Sequence, residues 1–162
     1  MSVYQLAQVN IARFRLAKDH AANADFMNAL DPVNAKADAA PGFIWRLVGE
    51  GNNSTDVEAA ENDPQLIVNL SVWTSVDALV DFAYRQSDHL AVMRRRREWF
   101  DQMEVFQALW WVPAGHRPSV DEAMARVALI ADHGPTPDAF TFRTTFAAPD
   151  GTPATPQLDE CA

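Results

Sequence analysis

The run QLIVNLSVW, residues 65–73, constrains the fold more than any other stretch of the chain. Branched and aromatic residues follow one another without a break, and polar or turn-forming residues close both ends, which specifies a strand. Side chains alternate across a strand, so Leu66, Val68, Leu70 and Val72 share one face while Ile67, Asn69, Ser71 and Trp73 share the other. The first face is wholly apolar and is expected to be the core on which helices pack. The second combines an amide, a hydroxyl and an indole, and is expected to line the side that the helices leave bare. "TSVDALVDFAY" follows at once, with Ser75 as an N-cap and Leu79, Val80 and Phe82 as an apolar stripe, so the strand feeds a helix.

The same reading extends outward. Residues 3–14 alternate imperfectly and predict a first strand with Tyr4, Leu6, Gln8 and Asn10 on one side. Residues 20–40 carry a helical pattern that Pro32, lacking an N–H, is expected to interrupt. Phe43 to Val48 predicts a short strand, residues 50–64 a mobile, acidic, exposed loop, and residues 105–113 a further strand. Ser119 with Glu122 forms a capping box for a helix that Gly134 and Pro135 stop. Residues 139–146 could add an edge strand, and the Pro-rich end reads as a flexible tail. The order is βαββαβ plus an extra C-terminal helix: an α+β, ferredoxin-like sheet with helices on one face, in one domain over residues 1–146 and a tail over 147–162. The uncovered face, bearing Trp73, is expected to find cover in a second copy, closing a dimeric α+β barrel.

Composition narrows the partners. With 162 residues, 48% of them hydrophobic, the chain suits a single core. Thirteen Lys and Arg against 22 Asp and Glu leave a net charge of −9, which repels nucleic acid and anionic lipid. The single cysteine, Cys161, permits neither an internal disulfide nor a thiolate metal cluster. No leader pattern and no apolar stretch of about 18 residues is present, so a cytoplasmic protein with no membrane partner is expected. Nucleotide-binding, metalloprotease and hydrolase signatures are missing, and no metal site is expected.

Against that acidic background, "SDHLAVMRRRREWF", residues 87–100, stands out. A helix over residues 88–101, capped by Ser87, would fan Arg94 to Arg97 over about 300° of its circumference, so at least one arginine must turn inward. Arg97 stacks with Leu90 and Met93, and Arg96 with His89 and Met93. Either the arginines pair with Glu98 and with the acidic stretch between Arg46 and Arg85, or one of them holds a substrate oxyanion or carboxylate in a pocket. Asn69, Ser71 and Trp73 are the donors such a pocket would use, and Asn10, Trp45, Tyr84 and Arg97 are further candidate ligand contacts.

Residues 67–100 and 108–142, with "RRRREWF" and "WWVPAGHRP" as their most specific segments, resemble a bacterial family of unknown function placed among the dimeric α+β barrels. More distantly, the order of elements is similar to that of antibiotic-biosynthesis monooxygenases, cofactor-free enzymes that oxidise polycyclic phenols. In some of those an Asn and a Trp four apart on a strand, with a Tyr and an Arg further on, surround the substrate. Asn69, Trp73 and Arg94 match that set, while Leu79 stands near where the tyrosine is expected and Tyr84 comes later. The resemblance therefore implies a homodimer that binds a small lipophilic or aromatic molecule and oxidises or rearranges it without a cofactor. Asn69 and Trp73 would orient substrate and dioxygen, Arg94 or Arg97 would steady an oxyanion, and His89 is the titratable group near neutral pH. A related branch degrades haem through a first-strand Asn, a strand Trp and a helical His, a set that Asn10, Trp73 and His89 resemble. A non-catalytic ligand-binding or dimerisation module is the competing class.

Overall fold

The computed structural model of the chain describes residues 3–154. Its main elements in chain order are β1 (Tyr4–Arg13), α1 (Ala24–Asp38), β2 (Phe43–Arg46), β3 (Leu66–Trp73), α2 (Val76–Arg85), α3 (Ser87–Arg94), β4 (Gln107–Pro113) and α4 (Val120–His133). The four strands form one antiparallel sheet in the order β2-β3-β1-β4. This is the α+β, ferredoxin-like arrangement that the alternating strand and helix patterns predict.

Helices cover both faces, which corrects the expected one-sided arrangement. Leu66, Val68, Leu70 and Val72 do face a helix, but that helix is α4, whose Ala123, Val127 and Ile130 close over them together with Val9 and Trp110. α1, α2 and α3 lie over the other face: Leu79 and Val80 pack on Leu6 and Trp73, and Phe26 packs with Phe14 and Trp99 beside Ile67. Trp73, expected on a bare surface, is 1% exposed. Two crossovers of the same hand put their helices on one side of a sheet. The apolar face therefore stays open until α4, arriving last, fills it.

Local chemistry explains most boundaries. Ser75 Oγ accepts from the Ala78 N–H at 3.1 Å and starts α2, and Ser119 Oγ accepts from the Glu122 N–H at 3.1 Å and starts α4. Gly134, at φ 70°, caps the end of α4 by donating to the Ile130 carbonyl. Gly42, at φ 84°, leads into β2 where a Cβ would come within 2.5 Å of Ala78 Cβ, so the approach of this turn to α2 depends on its missing side chain.

Several expectations differ from what is observed. α1 runs straight through Pro32, because Pro32 and Asn28 both lie on its exposed side, where water satisfies the freed carbonyl. α3 is capped by the Gln86 side chain rather than by Ser87, and it ends at Arg94. Beyond a 3-10 turn over Arg96–Glu98, the backbone leaves the helix to bond the end of β1: Arg15 N donates to the Trp99 carbonyl and Asp101 N to the Arg13 carbonyl. Residues 50–64 are tied down at several points, by Asp63 to Arg13 at 2.7 Å, by Ser54 to the Val68 carbonyl and by the buried Ala59. Residues 139–146 take part in two isolated bridges, Leu109 to Phe140 and Thr136 to Ala139, and form no strand among the described residues. The expected tail begins as folded chain, since Ala148 is buried and bonds Thr152; residues 155–162, including Cys161, lie outside the described residues.

Candidate functional site

A cavity of about 700 Å³ lies between the sheet and the helices α1, α2 and α3. Its floor is the face of β1 and β3 that carries Gln8, Asn10, Ile67, Asn69, Ser71 and Trp73. Phe26, Leu30 and Val33 wall it on the α1 side, and His89, Val92 and Met93 on the α3 side. The cavity opens at Tyr84, Arg96 and Arg97 toward a more exposed vestibule of about 530 Å³.

The floor is polar because antiparallel pairing puts two amide-bearing positions opposite one another. Asn10 on β1 pairs with Asn69 on β3, and Gln8 pairs with Ser71. Gln8 Nε2 and Trp73 Nε1 each donate to Ser71 Oγ at 2.8 Å. Those two bonds use both lone pairs of the hydroxyl and leave its hydrogen as a donor on the cavity side. Turning the Gln8 carboxamide over moves the spare hydrogen to Nε2 without removing it. Among the described residues, neither the Asn10 nor the Asn69 carboxamide bonds another group of the chain. A hollow walled on two sides by apolar side chains thus presents unspent donors and acceptors on its floor, the arrangement that orients a small ligand.

His89 sits on the opposite wall. Its Nδ1 lies 2.7 Å from the Ala83 carbonyl oxygen, an arrangement in which Nδ1–H donates and the lone pair falls on Nε2. Burial pushes the imidazole below its ordinary 6.5 and the Ala83 bond opposes it, so the ring is neutral at pH 7. Phe82 stands between His89 and Trp73, with ring centroids 5.0 Å and 5.5 Å away, and fixes both. Burial also raises the Tyr84 phenol, against the pull of the Arg96 charge, which keeps it a proton donor at the cavity mouth.

The four arginines diverge, and all are exposed, since α3 ends before it can fan them inward. Arg95 is the structural one: it binds Glu98 at 2.7 Å and Asp25 at 2.9 Å and lies over Trp99. The acidic stretch meets Arg13 instead of the arginine block, through Asp63. Arg96, over the Phe106 ring at 5.3 Å, and Arg97 reach the cavity. Arg94 lines only the outer vestibule.

Of the residues singled out in the sequence, Asn10, Asn69, Ser71, Trp73, Tyr84, His89 and Arg97 come together around one cavity. Trp45 does not: it pairs with Val72, packs with the core on the α4 side and meets Arg117 at 5.8 Å. Gln8 and Arg96 were missed as site residues, although both carry a signal. Gln8 shares the alternation of Asn10, and Arg96 stacks with His89 and Met93 at helical spacing. No group of three or more His, Cys, Asp or Glu able to hold a metal ion occurs among the described residues.

Fold and site together define an α+β chain with a cavity between its sheet and its crossover helices. The chain belongs to the family described as Domain of unknown function (DUF3291), matching it over residues 5–156. No curated protein matches it. Solved structures resemble it in part. A conserved protein from Methanosarcina mazei Go1 is 14% identical at a TM-score of 0.49, over 68% of this chain and 93% of that one. Rv0793 from Mycobacterium tuberculosis is 16% identical at 0.48, over 71% and 99%. SnoaB, a cofactor-independent oxygenase from Streptomyces nogalater, is 17% identical at 0.45, over 70% and 95%. Likenesses this distant carry no argument about chemistry, which rests on the residues themselves.

Proposed function

We propose that the protein binds a small, planar, largely apolar molecule between the Asn10 and Asn69 floor and the His89 wall, and oxidises it with dioxygen and no resident cofactor. The observation that carries the reading is the pair of facing carboxamides beside the spare Ser71 donor, all unspent within the chain and facing a cavity that Phe26, Leu30, Val33, Val92 and Met93 wall. Asn10, Asn69 and Ser71 hold the oxygen substituents of the substrate, and Trp73 with Phe82 supplies aromatic surface beside its ring. His89 Nε2, neutral and with its other nitrogen anchored, accepts a proton from a phenol or an activated methylene, leaving an electron-rich anion that reacts with dioxygen. In the balanced reaction a methylene between two rings becomes a carbonyl with one oxygen atom of dioxygen, and the second atom leaves as water with the two methylene hydrogens. Arg96 and Arg97 stabilise the negative charge from the mouth.

Oxygen uptake measured with a panel of polycyclic phenols tests this reading. Asn69→Ala and His89→Gln are expected to lower uptake at least about 10-fold while the far-ultraviolet spectrum is unchanged. Uptake that neither substitution alters, or none with any phenol of the panel, contradicts it.

The His89 tautomer also supports a second reading, haem binding. His89 could ligate the iron through Nε2, and Arg96 and Arg97 could meet the two propionates. Haem would supply one-electron and dioxygen chemistry. Added haemin giving a sharp Soret band that His89→Ala abolishes would support this alternative.

We further place the protein in the cytoplasm as a homodimer. Among the described residues no helix is long and apolar enough to cross a membrane. On the α4 side the half-buried Ile44, Trp45 and Leu47, around the edge strand β2, offer the apolar surface for a second copy. Sedimentation at a monomer mass would contradict the dimer.

A further inference from the structure

The chain carries a large excess of acid, and five of its thirteen lysines and arginines are matched by it. Arg13, Lys36, Arg46, Arg85 and Arg95 each form an ion pair with a carboxylate. Arg94, Arg96 and Arg97 form none among the described residues, although they adjoin one another at a single place. That place is the cavity mouth. Asp101 and Glu104 line the cavity as well, but neither makes an ion pair with these arginines. Three unmatched guanidinium groups on an acidic molecule form a local positive patch, which attracts an anion that the rest of the surface repels. Arg96 is also held in place against Phe106, so less side-chain freedom is lost when it binds.

The two hollows adjoin. Tyr84, Met93, Arg96, Arg97 and Phe106 line both the inner cavity and the outer vestibule, while the polar floor belongs to the inner one and Arg94 to the outer one. A molecule long enough to span both would place its ring on the floor and its far end among the arginines.

Resting on the cavity reading above, we propose that the ligand is an amphiphilic anion: an aromatic or lipophilic body inside the cavity, and an ionised oxygen acid, carboxylate or phosphate, seated between Arg96 and Arg97 with Arg94 beside it in the vestibule. Guanidinium groups suit both acids, since their parallel N–H pairs match two oxygens at once. The Tyr84 hydroxyl adds a neutral donor at the same rim.

Fluorescence titration of the full chain with 2-naphthoate, 2-naphthyl phosphate and the neutral 2-naphthamide tests the assignment, because the three share one body and differ at the head. At low salt an acid is expected to bind at least about 10-fold tighter than the amide, and the tighter of the two acids identifies the headgroup. The double variant R96Q/R97Q is expected to bring the acids to the level of the amide while the far-ultraviolet spectrum is unchanged. Raising the salt on the unaltered chain is expected to narrow the preference in the same direction, which asks the question without any substitution. Equal binding of all three probes, or a preference that survives both R96Q/R97Q and high salt, overturns the anion assignment and leaves the cavity reading standing. Binding of none of the three overturns both.

Discussion

The two faces of the sheet are built from the same strands and meet opposite fates. On the α4 side every inward position of β3 is apolar, and a single helix packs on the strands through Ala123, Val127 and Ile130. On the other side the helices make contact at the ends: α2 and the segment around Phe140 seal the Trp73 end, α1 and Trp99 seal the Phe14 end, and the middle stays open above Asn10, Asn69 and Ser71. The comparison shows how one sheet can divide stability from binding. A strand of period two gives each face its own composition, and the face left with amides cannot be packed dry without stranding them.

Substitutions on the two faces should therefore differ in kind. Leu70→Ala, on the closed face and 1% exposed, is expected to cost about 2–5 kcal/mol in urea denaturation, because a cavity replaces closely packed side chain. Ile67→Ala, on the open face, should cost at least about 1 kcal/mol less, since the hollow already borders it. Equal losses would erase the distinction. Ser71→Ala comes next, at about 1–3 kcal/mol, because the Trp73 N–H loses its buried acceptor and Gln8 its partner. Ser71→Cys, retaining a weak acceptor, should recover part of that loss.

A smaller effect comes from pH. Burial lowers the His89 pKa in the folded chain, so on acidification the unfolded chain takes up its proton first, and folded stability falls as pH drops below about 6.5. His89→Gln should flatten this acid limb in thermal unfolding measured across pH. If the neutral imidazole is also the catalytic base, the acid limb of the rate profile must lie below 6.5 and vanish with the same variant. Asn69→Ala should move stability least, within about 0.5 kcal/mol, since the Asn69 carboxamide bonds nothing else in the chain.

The period of β3 was enough to group Asn69, Ser71 and Trp73, and the pattern of β1 added Asn10 to them, because alternation is a local property of an extended backbone. Which helix covers which face was not legible. An amphipathic strand states that its faces differ, but the assignment depends on crossover hand and on a helix that arrives some fifty residues later. The arginine block misled for a similar reason. Propensity favoured continuing the helix to residue 101, whereas tertiary hydrogen bonds, from Arg15 N to the Trp99 carbonyl and from Asp101 N to the Arg13 carbonyl, drew the backbone away after Glu98. Trp45 had the composition of a ligand contact, but its register opposite Val72 assigns it to the other face.

The indole N–H groups of Trp73 and Trp110 report on the two faces separately, one bonded to Ser71 under the cavity and the other to Glu122 under α4. Nuclear magnetic resonance of both signals during titration with 2-naphthamide tests the central claim most directly. The account predicts that the Trp73 indole and the side-chain amides of Asn10 and Asn69 shift together while the Trp110 indole stays in place. A shift of the Trp110 indole without Trp73, or no shift of either at saturating probe, would contradict it.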